Sequence, residues 1–233
     1  MKKPYTLIAN ALAVAVLFCV LVVPSCKKDK YNTPVILINP GMMSDFGYKN
    51  GTYWIYRDSV TGQEDSAWVS ATRVFTFLPG SCLLSNDMPR IQGMDITVTV
   101  SHNDPTITET WSFRAQDSTF IMTFSNNQDR VESRLGITLF HYPFRNGDAS
   151  FSYGCVGGGS NGSTEVVAAV SAGGQVYSNA ARSTHSLADG TGNDIYNDLF
   201  YVNEKAGIIK LVLNHPQNSV YRVLELQRYK IVK

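Results

Sequence analysis

The chain has 233 residues, with 20 Lys and Arg against 19 Asp and Glu, and its 44% hydrophobic and 17% charged content belongs to a globular protein, not a disordered one. A near-neutral balance gives no electrostatic reason to bind nucleic acid. The length fits one domain with a proper core, or at most two small ones.

The first predicted element is not part of the fold. Met1-Lys2-Lys3 precedes an apolar run from Leu7 to Val23 in which only Asn10 is polar, a charged n-region and an apolar h-region in the order of an export signal. The run is longer than most h-regions and falls short of the ~20 residues that span a bilayer, so length does not separate a cleaved signal from an uncleaved anchor. Its end is more specific. Val23-Pro24-Ser25-Cys26 places a branched apolar residue three before, and a small residue one before, a cysteine. This resembles the lipobox of bacterial lipoproteins, and Lys27-Lys28-Asp29-Lys30 is similar to the S-C-K-K-D opening of Bacteroidota-type cell-envelope lipoproteins.

That resemblance implies a signal peptide over residues 1–25, cleavage before Cys26, and acylation of the Cys26 thiol and new amine by fatty chains such as palmitate. The chain would then be lipid-anchored in the cell envelope, on the periplasmic or surface face of the outer membrane. Two or three acyl chains hold a protein there stably, whereas one does so only marginally. Losing residues 1–25 removes Lys2 and Lys3 and no acid, which leaves the domain near a net charge of −1.

Residues 26–45 contain two prolines and little periodicity, and read as a lipidated tether reaching up to ~60 Å when extended. Within it V-I-L-I-N can add a short edge strand. A single β-rich domain over residues 46–233 follows. It opens with Asn50-Gly51, a turn, and a strand that puts Trp54 and Tyr56 on one face and Tyr53 and Ile55 on the other, so both faces are expected to be covered. This N-G-x-Y-W-x-Y strand, with Asp58-Ser59 after it, and the later Tyr201 with Ala206-Gly207-Ile208-Ile209-Lys210, are similar to strands of Bacteroidota-type lipoproteins. They carry no known chemistry.

The middle alternates most clearly. Ile96, Val98 and Val100 share one face, as do Trp111 and Phe113, then Phe120, Met122 and Phe124, with turn signals between, which makes an antiparallel meander. Residues 154–174 hold seven glycines and read as loop, with Val166 to Val170 as a strand or a short helix. A last hairpin is predicted around His215-Pro216-Gln217-Asn218, and the Lys-rich final residues suit an exposed end. The fold class is all-β: an antiparallel meander of roughly ten strands closed into a barrel, lipocalin-like or otherwise, or folded into a sandwich, with Gly-rich insertions and at most one or two short helices. A lipocalin-type G-x-W would need tryptophan at position 53, where this chain has tyrosine.

Of four cysteines, Cys19 leaves with the signal and Cys26 takes lipid. Cys82 and Cys155 remain, either as one disulfide worth about 4 kcal/mol in the chain-entropy model or as two buried thiols.

Candidate chemistry is thin. Gly157-Gly158-Gly159-Ser160-Asn161-Gly162 satisfies G-x-G-x-x-G, but that fingerprint works only between a strand and a helix of a parallel sheet. The same stretch satisfies G-x-S-x-G, with Ser160 as nucleophile and Asp189 or Asp194 and then His215 following in hydrolase order; it would need a strand-to-helix elbow. Asp189, Asn193, Asp194 and Asp198 offer oxygens suited to calcium, without EF-hand spacing, and turn or cap duty explains them as well. His102, His141, His185 and His215 stand apart in sequence, with no zinc spacing. Trp54, Trp68 and Trp111 serve a ligand platform or the core.

The expectation is a non-catalytic, membrane-anchored envelope lipoprotein with no cofactor and no metal, touching the membrane through the lipid on Cys26 and binding an unknown ligand or protein partner. A weak hydrolase centred on Ser160 and a purely structural envelope subunit are the alternatives. A core filled by side chains, without a concave aromatic groove, would argue against a small ligand.

Overall fold

The computed structural model describes residues 34–77, 89–102, 108–126, 136–148, 151–152, 159–188, 194–216 and 219–233. The expected signal over residues 1–25, Cys26, Cys82 and Cys155 lie outside them. The domain begins at Val35 with β1 (Val35–Ile36) and α1 (Pro40–Phe46), followed by β2 (Tyr53–Asp58), β3 (Glu64–Phe77), β4 (Arg90–Ser101), β5 (Thr108–Gln116), β6 (Thr119–Asn126) and β7 (Gly136–His141). Two short strands, β8 (Gly147–Asp148) and β9 (Phe151–Ser152), precede β10 (Gly159–Ala172), β11 (Gln175–Ala188), β12 (Asp194–Asn203), β13 (Gly207–His215) and β14 (Val220–Lys230).

The two long meanders run β2 to β7 and β10 to β14, and they join where β14 pairs with β2. Each pairing is antiparallel except that of β1, which lies parallel to β4 at Arg90 and Ile91. At the far side β7 packs against β10 to β12. There Ser183 Oγ of β11 donates to the Thr138 carbonyl of β7 at 2.6 Å, and β8 leaves the end of β7 to pair with β10. The result is a nearly closed antiparallel barrel of eleven strands, which decides barrel over sandwich. Bulges at Val69/Ala71 in β3, Tyr201/Val202 in β12 and Leu226/Arg228 in β14 add the bend such a sheet needs to close.

The core forms as the alternation demands. Trp54 and Tyr56, Ile96, Val98 and Val100, Trp111 and Phe113, Phe120 and Met122, and Leu211 and Leu213 point inward and are buried. The outer face of β2 is only half covered: Tyr53 stays 39% exposed and pairs across the strands with Trp68, itself 40% exposed. Trp54 and Trp111 belong to the core, so a platform of all three tryptophans does not form.

Three segments depart from the sequence reading, and the turn that ends β10 is tightly packed. The end of the expected tether is built into the domain, because Asn39 and Pro40 start a helix there: the Asn39 side chain accepts from Gly41 N at 2.9 Å and Pro40 needs no hydrogen bond at that position. Met42 and Phe46 of α1 are then buried in one mouth of the barrel, Phe46 among Phe120, Phe140, Tyr142 and Phe144 at ring separations of 4.5 to 6.3 Å. From Gly159 onward the glycine-rich stretch is strand: Val166 to Val170 take the strand alternative, the residues before them are not loop, and eleven residues pair with β11. The chain end is tied down as well, with Val232 N on Thr52 Oγ1 at 2.9 Å, Lys49 N on the Val232 carbonyl at 2.9 Å, and Lys233 Nζ on the Asp45 carbonyl. Finally, Gly173 turns the β10–β11 hairpin with φ +56°, and its bare Cα lies so close to β14 that a Cβ would stand 2.0 Å from the Leu226 carbonyl oxygen. Only glycine meets both conditions.

Candidate functional site

The inward rows of side chains continue past the apolar core into polar residues at the mouth opposite α1. Trp54 and Tyr56 lead to Asp58 on β2; Val69 and Ala67 lead back to Asp65 on β3; Val98 and Val100 lead to His102 just beyond β4; Phe113 and Trp111 lead back to Glu109 on β5. On β14 the row Leu226, Leu224 leads to Arg222, which faces Leu213 of β13. Strand period thus delivers three carboxylates, one imidazole and one guanidinium to one place.

His102 sits between two acids, with Nδ1 3.1 Å from Asp65 Oδ2 and Nε2 3.2 Å from Glu109 Oε2. Burial alone would lower its pKa, but the hydrogen bonds to Asp65 and Glu109 and their charges outweigh it and raise the value to about 9. The ring is therefore a charged imidazolium, held between the two carboxylates as an ion pair with each. Arg222 NH2 donates to Asp65 as well, while its Nε lies 3.9 Å from Asp58 Oδ2 and its NH1 3.9 Å from Glu109 Oε2. The Trp111 indole N–H donates to the second oxygen of Glu109, and Asp58 Oδ1 accepts from Val60 N at 2.9 Å. Three acids against two cations leave one negative charge in excess. These groups are buried apart from Arg222, whose side chain is 24% exposed.

A second polar group lines the same end on the neighbouring strands. His215 Nε2 lies 3.1 and 3.2 Å from the two oxygens of Asp198, and Asp198 Oδ1 also accepts from Asn214 N at 3.0 Å. Tyr196 presents an edge-on ring to His215 at 6.1 Å, and His185 stacks on Tyr196 at 5.5 Å. His185 is the cross-strand partner of Asp198, and burial pushes its pKa down to about 4, so it is neutral.

This arrangement corrects several expectations. His215 is an inward strand-face residue of β13 and His102 follows β4, and each is the partner of a buried acid. Asp198 belongs to His215 and not to a calcium loop; of its supposed companions, Asp189 and Asn193 lie outside the described residues. Ser160 stands inside β10 opposite Phe151 of β9, where a nucleophile elbow between strand and helix does not form. The dinucleotide reading fails on the same ground, because Gly159 to Gly162 are antiparallel strand. Among the described residues no group of three or more His, Cys, Asp or Glu is placed to hold a metal ion.

Between the two mouths the described side chains pack against one another as one aromatic core. Phe46, Tyr48, Trp54, Tyr56, Trp111, Phe113, Phe120, Val202 and Ile208 enclose a gap of about 10 Å³, room for one water molecule. Trp54 Nε1 donates to the Ala206 carbonyl at 2.7 Å and Tyr56 OH to that of Ile208 at 2.9 Å, so both polar tips are satisfied by the β12–β13 turn. The Tyr48 hydroxyl is buried with no hydrogen-bond partner among the described residues, and burial, then the charge of Asp45, raises its pKa far above the ordinary value.

Fold and site together define a nearly closed antiparallel β-barrel with an aromatic core, one mouth plugged by a helix and the other by an ion-pair network. No protein-family model matches the chain, and no curated protein matches it. Among solved structures it is similar to a β-barrel-like protein of a domain of unknown function from Brucella abortus, at 10% identity over 80% of this chain and 100% of that one, with a TM-score of 0.31. Among the described residues no helix is long and apolar enough to cross a membrane.

Proposed function

We propose that the protein is an envelope lipoprotein, held to the membrane by acyl chains on Cys26, whose barrel binds a protein partner or ligand without catalysing a reaction. The observation that carries the anchor is the sequence Val23-Pro24-Ser25-Cys26 followed by Lys27-Lys28-Asp29-Lys30. The gap among the core rings holds only one water, so that part of the interior cannot admit a bulky apolar molecule without expelling the rings, which favours recognition at the outer surface.

Intact mass and membrane partitioning of the native protein beside Cys26→Ala test the anchor. The wild type should lack residues 1–25, carry acyl mass and need detergent for release, and the variant should need none. A wild type that keeps the apolar run is instead a signal-anchored protein. The hydrolase reading would need ester hydrolysis that Ser160→Ala abolishes; equal, background rates in both chains are expected.

A further inference from the structure

The outer face of the barrel carries a patch that neither mouth uses. Beyond the bulge in β3, Arg73, Phe75 and Phe77 lie opposite Asp95, Gly93 and Ile91 of β4, and Ile91 is paired in turn with Ile36 of β1. Cross-strand partners share a face, so Phe77, Ile91 and Ile36 form one row. Gly93 flattens it: a Cβ there would stand 2.9 Å from both phenylalanine rings, so the rings lie down on the β4 backbone, 5.4 Å apart.

Two guanidiniums frame the rings. Arg73 sits 5.1 Å from the centre of Phe75, and Arg114 5.5 and 5.9 Å from those of Phe75 and Phe77. Both also bind Asp95 at 2.8 Å, and one carboxylate against two cations leaves the patch positive. Beside it Val35, Ile36 and Leu37 are 41%, 40% and 63% exposed, a run of three large apolar side chains in water. Contiguous exposure of this kind marks a contact surface.

We infer that this patch is the face on which the barrel rests against the phospholipid surface, an inference that builds on the lipid anchor at Cys26. Chain length commits it to that occupant. Cys26 precedes Val35 by nine residues, so β1 stays within about 30 Å of the acylated residue however the connection runs. The connection itself carries Lys27, Lys28 and Lys30 against Asp29, a net positive charge of the same sign as the patch. Aromatic rings flanked by long-stemmed arginines suit the headgroup boundary, where the ring sits among upper acyl carbons and the guanidinium meets phosphate.

The test uses the full chain, purified from membranes and reconstituted in phosphatidylethanolamine–phosphatidylglycerol vesicles with brominated acyl chains. Leu37→Trp reports on the patch. Val60→Trp reports on the exposed β2–β3 turn at the other end of the barrel, roughly 40 Å away along β3. Intact mass is read on the same samples, and emission is compared with the wild type to remove the native tryptophans. Leu37→Trp should lose about half its added emission and Val60→Trp none, and adding Phe75→Ser with Phe77→Ser should restore most of the loss while the far-ultraviolet spectrum is unchanged. An acylated protein in which both reporters escape quenching overturns the patch and keeps the anchor. Leu37→Trp emission already blue-shifted without vesicles, in a chain that sediments as a dimer, overturns it in favour of a second copy. An unacylated chain still quenched at Leu37→Trp keeps the patch and discards the anchor; one that is not quenched discards both.

Discussion

The two mouths of the barrel are closed by the same strand geometry with opposite chemistry. At one, α1 and the C-terminus press Phe46, Met42 and Tyr48 onto a bowl of aromatic rings. At the other, the inward rows end in Asp58, Asp65, His102, Glu109 and Arg222, with no helix above them among the described residues. An apolar plug is stabilised by every methylene it removes from water, about 25 cal/mol per Å². An ion-pair plug is not, because desolvation of each charge offsets most of its attraction, so what it supplies is a fixed arrangement that fails when one member is lost. The apolar mouth should therefore tolerate shape-conserving change, and the charged mouth should tolerate none that leaves an acid alone.

The largest effect tests the apolar side. Phe46→Ala empties the centre of the aromatic bowl and should cost about 3–5 kcal/mol, while Phe46→Leu, which keeps most of the volume, should cost less than half of that. Urea midpoints at constant slope measure both. On the charged side Arg222→Met removes the one group that touches three acids and should cost about 3 kcal/mol, although methionine matches much of its stem. If Arg222→Met is as mild as Phe46→Leu, the network is surface decoration and the contrast between the mouths collapses.

Gly173→Ala should come next, at about 2 kcal/mol, since alanine must adopt a positive φ and drive its Cβ into the Leu226 carbonyl. The neighbouring Gly174 has φ +78° and open space around it, so Gly174→Ala should cost about 1 kcal/mol, from backbone conformation alone. Equal losses would mean that the hairpin tip does not lie on β14.

Much of this was legible in the chain before any coordinates. The alternation Ile96-Val98-Val100, Trp111-Phe113 and Phe120-Met122-Phe124 states both strand and buried face, and the barrel follows from short turns between such strands. The polar mouth was legible only in part. Asp58, Asp65, Glu109, Arg222 and His215 all sit at even spacing from buried residues of their own strands, a sign that they too face inward. Their meeting depends on how far neighbouring strands are staggered, as when Leu224 lies opposite Asp58, and register of that kind is set by bulges and closure, not by local pattern. Helix α1 was missed for a related reason. Seven residues are too few to show a helical period, and Asn39-Pro40 was the one available signal. Of β10 only Val166 to Val170 reads as strand or short helix, because the glycines around them carry no strand propensity, and pairing with β11 carries the strand past them.

The smallest effect separates a charged network from a merely polar one. His102 titrates near 9 in the folded chain against an ordinary value of 6.5, because Asp65 and Glu109 hold its proton. A group raised in this way contributes its full stabilisation below about pH 6.5 and loses it as the pH climbs through 9. Unfolding free energy should therefore fall across that window in the wild type and fall less in His102→Gln, which keeps one donor but no charge. Other groups titrate there too, so the difference between the two chains, taken from urea titrations at pH 6, 7.5 and 9, is the informative quantity. His185 serves as the internal contrast: buried, neutral and titrating near 4, it should leave that window untouched when replaced by glutamine. Parallel curves for wild type and His102→Gln would mean that the ring is neutral at pH 7 and that Arg222 is the one cation facing the three acids of the mouth.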